Sequence, residues 1–193
     1  MQVSGGTVAA ALGCGSPTNK RRKNDHYPTP AWVTEQFCQA EALPPVVWEF
    51  CAGNGDMSRV LRRHGIKVVE SELRRGQDFF KFNRRLTDAG VTNPPFKHAA
   101  KIVRHAHDLG LSYLALLLKG DFCNTHERYR LFSKVGCPTR IWCHTKRPDW
   151  TGEGGPPMNV SWYVWDGWGA TSSKLCLLPP PPPAPRKRRS ANV

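Results

Sequence analysis

The sequence predicts an α/β fold: a doubly wound, mostly parallel sheet with helices on both faces and a late antiparallel strand pair. Three observations predict it. Short apolar runs alternate with segments of helical pattern through the middle of the chain. One run, LSYLALLL at 111–118, is almost wholly apolar, as expected of a strand covered on both faces. Two late runs, RIWCH at 140–144 and VSWYVW at 160–165, have no convincing helix between them, which fits an antiparallel pair at one side of the sheet.

The elements follow in order. Residues 1–24 are small, glycine-rich and then basic, and read as a flexible arm. A folded body is expected over 25–177. VVWEF at 46–50 is a first strand, ending in an acid, and MSRVLRRHG at 57–65 is a helix closed by Gly65, a residue suited to a left-handed cap. KVVES at 67–71 and GVTN at 90–93 are further strands. In AAKIVRHAHDLG the residues Ile102, Val103, Ala106 and Leu109 share one helical face. HERYRLFSK is a short helix after Thr125 as cap. From 178 to 193 a proline run leads to RKRRS, read as a stiff polyproline tail with a charged tip.

Composition narrows the function. With 193 residues, 39% hydrophobic, the chain can bury one full core. Its formal charge is +13, with basic clusters at Lys20–Lys23 and Arg186–Arg189, which points to a polyanionic partner. The plain alternative is a solubility charge. The 7 cysteines are odd in number and contain no CxxC pair, which argues against a disulfide framework or a zinc knuckle and fits a reducing cytoplasm. No signal peptide and no run of transmembrane length is read, so no membrane partner is expected.

Two motifs carry chemistry. In Trp48-Glu49-Phe50-Cys51-Ala52-Gly53-Asn54-Gly55-Asp56 an acid ends a strand and a glycine turn opens a helix, the usual ligand crevice of such sheets. Ser58 stands where a dinucleotide site would want glycine or alanine. Downstream, Glu72 can accept both hydroxyls of a ribose. Asp78 can accept an adenine amine, with Phe79 or Phe80 beside the ring. Taken singly, these acids also read as surface carboxylates at loop ends. In Thr92-Asn93-Pro94-Pro95-Phe96, two prolines stiffen a turn after a short strand. An ordinary strand-ending turn would look similar. The functional reading is specific, because an exocyclic base amine is a poor nucleophile whose lone pair is delocalised into the ring. Accepting its N–H groups on the Asn93 side-chain oxygen and the Pro94 carbonyl would pull the nitrogen towards tetrahedral geometry. Phe96 can stack on a base taken out of its helix. Neither a metal nor a strong base is required.

In this order, Asp25-His26-Tyr27-Pro28-Thr29-Pro30, then EFCAGNGD, then TNPPF, the chain resembles class I methyltransferases of bacteriophages and prophages, many described as DNA N6-adenine methyltransferases. The likeness spans roughly His26 to Asp166. It implies a Rossmann-like domain that uses S-adenosylmethionine, without a metal, on DNA in a bacterial or phage-infected cytoplasm. It further implies that Tyr27, Pro28, Thr29 and Pro30 line the donor pocket and that Glu49, Gly53 and Gly55 surround the methionine part. Glu72 would serve the ribose and Asp78 the adenine, with Cys51 and Phe79 in the same pocket. Asn93, Pro94, Pro95 and Phe96 would form the catalytic loop. The chain departs from the family where Phe50 replaces a frequent proline and Glu72 a frequent aspartate.

Other readings stay open. The same motif serves RNA adenine, cytosine N4 and protein glutamine. A catalytically silent nucleic-acid-binding module and a nicotinamide oxidoreductase are the remaining classes. His98, His105 and His107 are read as solvated helix residues, and Trp142, Trp162 and Trp165 as packing. The segment 147–159, with Arg147, Asp149 and Trp150, is the expected base-reading loop.

Overall fold

A computed structural model describes residues 28–150 and 159–181. Tyr27, the arm at 1–24, positions 151–158 of the reading loop and the tail beyond 181 lie outside the described residues. The elements are α1 (Ala31–Ala40), β1 (Val46–Glu49), α2 (Asp56–Arg63), β2 (Lys67–Glu70), β3 (Ala89–Thr92), α3 (Ala99–Asp108), β4 (Tyr113–Lys119), α4 (His126–Val135), β5 (Arg140–His144), β6 (Val160–Asp166) and β7 (Lys174–Leu178).

The strands form one seven-stranded sheet in the order β2-β1-β3-β4-β6-β5-β7. Every pairing is parallel except those of β6, which runs antiparallel to β4 and to β5. The doubly wound, mostly parallel sheet is therefore as expected, and so is the antiparallel pairing of the two late strands. The pair lies at one side of the sheet, as expected, with β6 taking the inner place against β4 and β7 added as the edge strand beyond β5. The reason is burial. Val160 to Trp165 has side chains covered on both faces, which only an interior strand provides.

Alternation along β4 builds two cores. Leu114, Leu116 and Leu118 face one side, with Ile102, Val103 and Ala106 of α3 and Leu131 of α4. Tyr113, Ala115 and Leu117 face the other, with Val33 and Phe37 of α1 and Met57 and Leu61 of α2. Gly65, at φ +80°, follows α2, and Thr125 caps α4 by accepting the Arg128 N–H, both as the sequence indicated. Phe50 is accommodated by Gly90 of β3. A Cβ there would come within 2.9 Å of Phe50 Cε1 and of Leu111 Cδ2. The freed space lets Phe50 stack on Phe79 at 3.9 Å between centroids.

Two elements were not foreseen. In α1, which follows Pro30, Val33 and Phe37 stack one turn apart on the buried face. β7 ends at Leu178, where the tail was expected to begin. Leu178 is fully buried, its carbonyl accepts from Thr145 Oγ1 at 2.9 Å, and the Pro179 carbonyl accepts from Gln36 Nε2 at 2.5 Å.

A polar cluster closes the end of the sheet where β4 and β5 begin. Glu41, 6% exposed, accepts from Arg140 Nε at 3.0 Å and Nη2 at 2.6 Å, from Trp142 Nε1 at 2.6 Å and from Tyr113 Oη at 3.3 Å. Arg140 also reaches Asp166 at 2.9 Å. The hydrogen bonds to Glu41 hold the guanidinium firmly charged.

Candidate active site

The opposite end of the sheet, where the parallel strands finish, gathers the chemical residues. β1 delivers Glu49 at its last position, 2% exposed. Its carboxylate accepts the Ser58 hydroxyl from the first turns of α2. Ser58 thus has a structural reason to replace a small residue. Burial pushes the Glu49 carboxyl up to about 8; the Ser58 hydrogen bond opposes the shift and nearby Glu70 adds to it.

The turn after β1 needs glycine at two places. Gly53 has φ +53° and Gly55, the residue before α2, has φ +78°. The Gly53 N–H donates to Glu72 Oε2 at 2.6 Å, while Glu72 Oε1 accepts from Arg74 N at 3.2 Å. One carboxylate therefore caps its own turn and ties it to the glycine loop. Asp78 is likewise held, accepting the Phe80 N–H at 3.0 Å. Cys51 lies among these acids. Burial pushes its thiol up to about 12, and the charges of Glu72, Glu49 and Asp78 act in the same direction. That thiol is neutral, so it offers no nucleophile.

β3 ends at Thr92 and hands Asn93-Pro94-Pro95-Phe96 to the same end of the sheet. The Asn93 amide donates from Nδ2 to Thr29 Oγ1 at 3.0 Å. Two motifs 64 residues apart are joined by this bond. Pro94 is buried, and half-buried Phe96 packs at the border of both cores. The structure thus brings Glu49, Cys51, Glu72 and Asp78 together and, separately, Thr29 with Asn93. Pro28 is exposed and Pro30 half-buried ahead of α1.

Phe79 and Phe80 divide the role that the sequence left open between them. Phe79 is 4% exposed, one face stacked on Phe50 and its edge against Trp48 and His105. It belongs to the core. Phe80 is 41% exposed and touches His98 and His105 instead. Sequence reasoning also missed Glu70, whose carboxyl is destabilised by burial but held below its usual range by hydrogen bonds from Ser58, Arg62 and Arg75. The basic residues of the helix and the turn around an acidic strand end were the available signal. His98 and His105 are ring partners of Phe80, and among the described residues no group of His, Cys, Asp and Glu is arranged to hold a metal ion. Among the described residues, too, no helix is long and apolar enough to cross a membrane.

No family model and no curated protein matches the chain in sequence. Solved structures are similar to it in fold. One, from Agrobacterium tumefaciens, is described as a predicted O-methyltransferase; identity is 13%, with 79% of this chain and 86% of that one covered at a TM-score of 0.42. Another, from Thermotoga maritima, is described as an SAM-dependent methyltransferase and possible histamine N-methyltransferase; identity is 11%, with 70% and 88% covered at a TM-score of 0.41.

Proposed function

We propose that this chain is an S-adenosylmethionine-dependent methyltransferase whose acceptor is the exocyclic amine of a nucleobase, N6 of adenine in DNA, with RNA as the alternative polymer. The observation that carries the reading is the Asn93–Thr29 hydrogen bond at the carboxyl end of β3. It fixes the amide plane and engages Nδ2, so Oδ1 is the remaining acceptor. With the Pro94 carbonyl, Oδ1 forms the acceptor pair that a weakly nucleophilic amine requires.

The donor pocket fits on the chemistry of its groups. The adenosine part of the donor offers hydroxyl and amine donors, and this chain presents carboxylates of different reach around Cys51. Glu72 is oriented by two backbone N–H groups and still has lone pairs to spare. Gly53 and Gly55 keep the backbone open above the end of β1. Exposed Phe80 is the ring available beside Asp78. When bound, the donor supplies an electrophilic methyl group. The formal charge of +13 favours a nucleic acid over a protein acceptor. Such an enzyme would act in the cytoplasm of a bacterium or of a phage-infected host.

Incubation with methyl-labelled donor and separate DNA, RNA and protein acceptors, followed by nucleoside analysis, tests the proposal. Label in N6-methyl-2′-deoxyadenosine from DNA is the expected outcome. Label in another amine would move the acceptor, and no label in any would remove the activity.

A further inference from the structure

We infer that the exposed face of α3 is a track for the phosphate backbone of duplex DNA, beginning at the Asn93–Phe96 loop and leading away from it. Naming DNA rests on the proposed function; the track itself rests on the following.

α3 turns Ala100, Ile102, Val103 and Ala106 into the core. On its other side Lys101 and Arg104 are exposed, and exposed Lys97, directly after Phe96, sits in the 3-10 turn that leads into the helix. Lys101 and Arg104, three apart on the helix, are neighbours on its surface, and Lys97 leads into them from the turn. At a helical rise of about 1.5 Å per residue the run is on the order of 10 Å long, about three phosphate spacings along one strand of duplex.

The run is also unneutralised. Among the described residues the ion pairs are made by other cations: Arg59 with Asp56, Arg62 and Arg75 with Glu70, Arg63 with Glu35, Arg85 with Asp88, Arg128 with Glu127, Arg140 with Glu41 and Asp166. The one carboxylate of the helix, Asp108 at its far end, contacts His107 Nδ1 at 3.3 Å. Arg59, Arg62 and Arg75 around the glycine turn are spent on Asp56 and Glu70, whereas Lys97, Lys101 and Arg104 make none of these ion pairs. A second feature adjoins it. His98 and His105 line the neighbouring row of the helix and hold Phe80, whose ring is 41% exposed and is followed by exposed Lys81. Basic residues interleaved with an exposed ring beside the loop that would take the target base suit a nucleic acid better than a solvated face.

The test compares two triple variants of the full chain by fluorescence anisotropy with a labelled duplex over a salt series. The first is Lys97→Gln, Lys101→Gln and Arg104→Gln. The second removes equal charge from Lys67, Lys134 and Lys174, exposed residues at the end of the sheet remote from the site. Neutralising the track should weaken binding about tenfold or more at low salt and flatten the slope of log affinity against log salt by about 2 to 3. The control should change the slope by less than about 1. Equal effects of the two variants, or no effect of the first, would overturn the track. Loss of binding to RNA or anionic vesicles, with no duplex binding by the parent chain, would overturn DNA as its occupant. Far-ultraviolet circular dichroism checks that both variants fold. Methyl transfer is read separately: track-dependent duplex binding without transfer by the parent chain would fail the proposed activity alone. Transfer with track-independent binding would fail this inference alone.

Discussion

Each end of the sheet buries a glutamate, and the two are kept on different terms. At the end where β4 and β5 begin, Glu41 meets an arginine fork, an indole and a phenol. At the end where the parallel strands finish, Glu49 has the Ser58 hydroxyl and the unfavourable neighbourhood of Glu70. A buried carboxylate surrounded by donors locks elements together, here α1, β4 and β5. One that burial drives towards its neutral form is costly to the fold and marks the crevice at which chemistry is proposed. Positive charge is distributed likewise: Arg140 is paired with Glu41 and Asp166, while among the described residues Lys101 and Arg104 of α3 make no ion pair.

The largest expected effect breaks the structural end. Glu41→Ala removes the acceptor of the Trp142 indole and the Tyr113 phenol and leaves Arg140 with Asp166 alone; it should cost about 3–5 kcal/mol, on the order of 10 °C in melting temperature for a domain of this size. Activity per folded molecule should persist. A variant that melts normally but loses activity would erase the division between the two ends.

Next comes Asn93→Ala at the chemical end. Methyl transfer should fall roughly 10²–10³-fold, as when one polarising contact is removed from an active site, while calorimetry shows unchanged donor affinity. An unchanged rate would defeat the mechanism.

A smaller effect tests the packing under the glycine loop. Gly90→Ala forces a Cβ against Phe50 and Leu111 and should cost about 1–3 kcal/mol in denaturant unfolding. Combined with Phe50→Leu, the penalty should shrink. Strict additivity of the two would show that Phe50 is not what the glycine accommodates.

The last test is a pH profile. The folded-state value of Glu49 is raised from 4.5 to about 8, so the folded protein holds its proton more tightly than the unfolded chain. Its contribution to stability is fully present below 4.5 and is lost as pH rises through about 8. Stability of the parent relative to Glu49→Gln should therefore fall across that window and level off above it. Parallel profiles would mean that Glu49 is ionised as readily in the fold as outside it.

Much of this was legible before any tertiary contact. β4 announced itself by an unbroken apolar run, α3 by its periodicity, and the caps at Gly65 and Thr125 by residue type. β7 did not, since Leu175 and Leu177 are exposed on an edge and the strand runs straight into prolines. α1 carries a short buried stripe interrupted by buried Thr34 and Gln36, which weakens its pattern.

The sequence alone determined the alternation of strands and helices, the glycine turn after β1 and the rigid Asn-Pro-Pro turn after β3. These depend on side-chain periodicity and on backbone freedom within a few residues, properties a short segment carries with it. Only the tertiary structure decided that β6 enters the sheet between β4 and β5, because pairing partners are chosen by which faces can be covered. It alone chose Phe79 for the core and Phe80 for the surface, since adjacent identical residues differ only in what they meet. And it alone joined Thr29 to Asn93, a contact that no local rule specifies because it exists only once α1 has packed against the finished sheet.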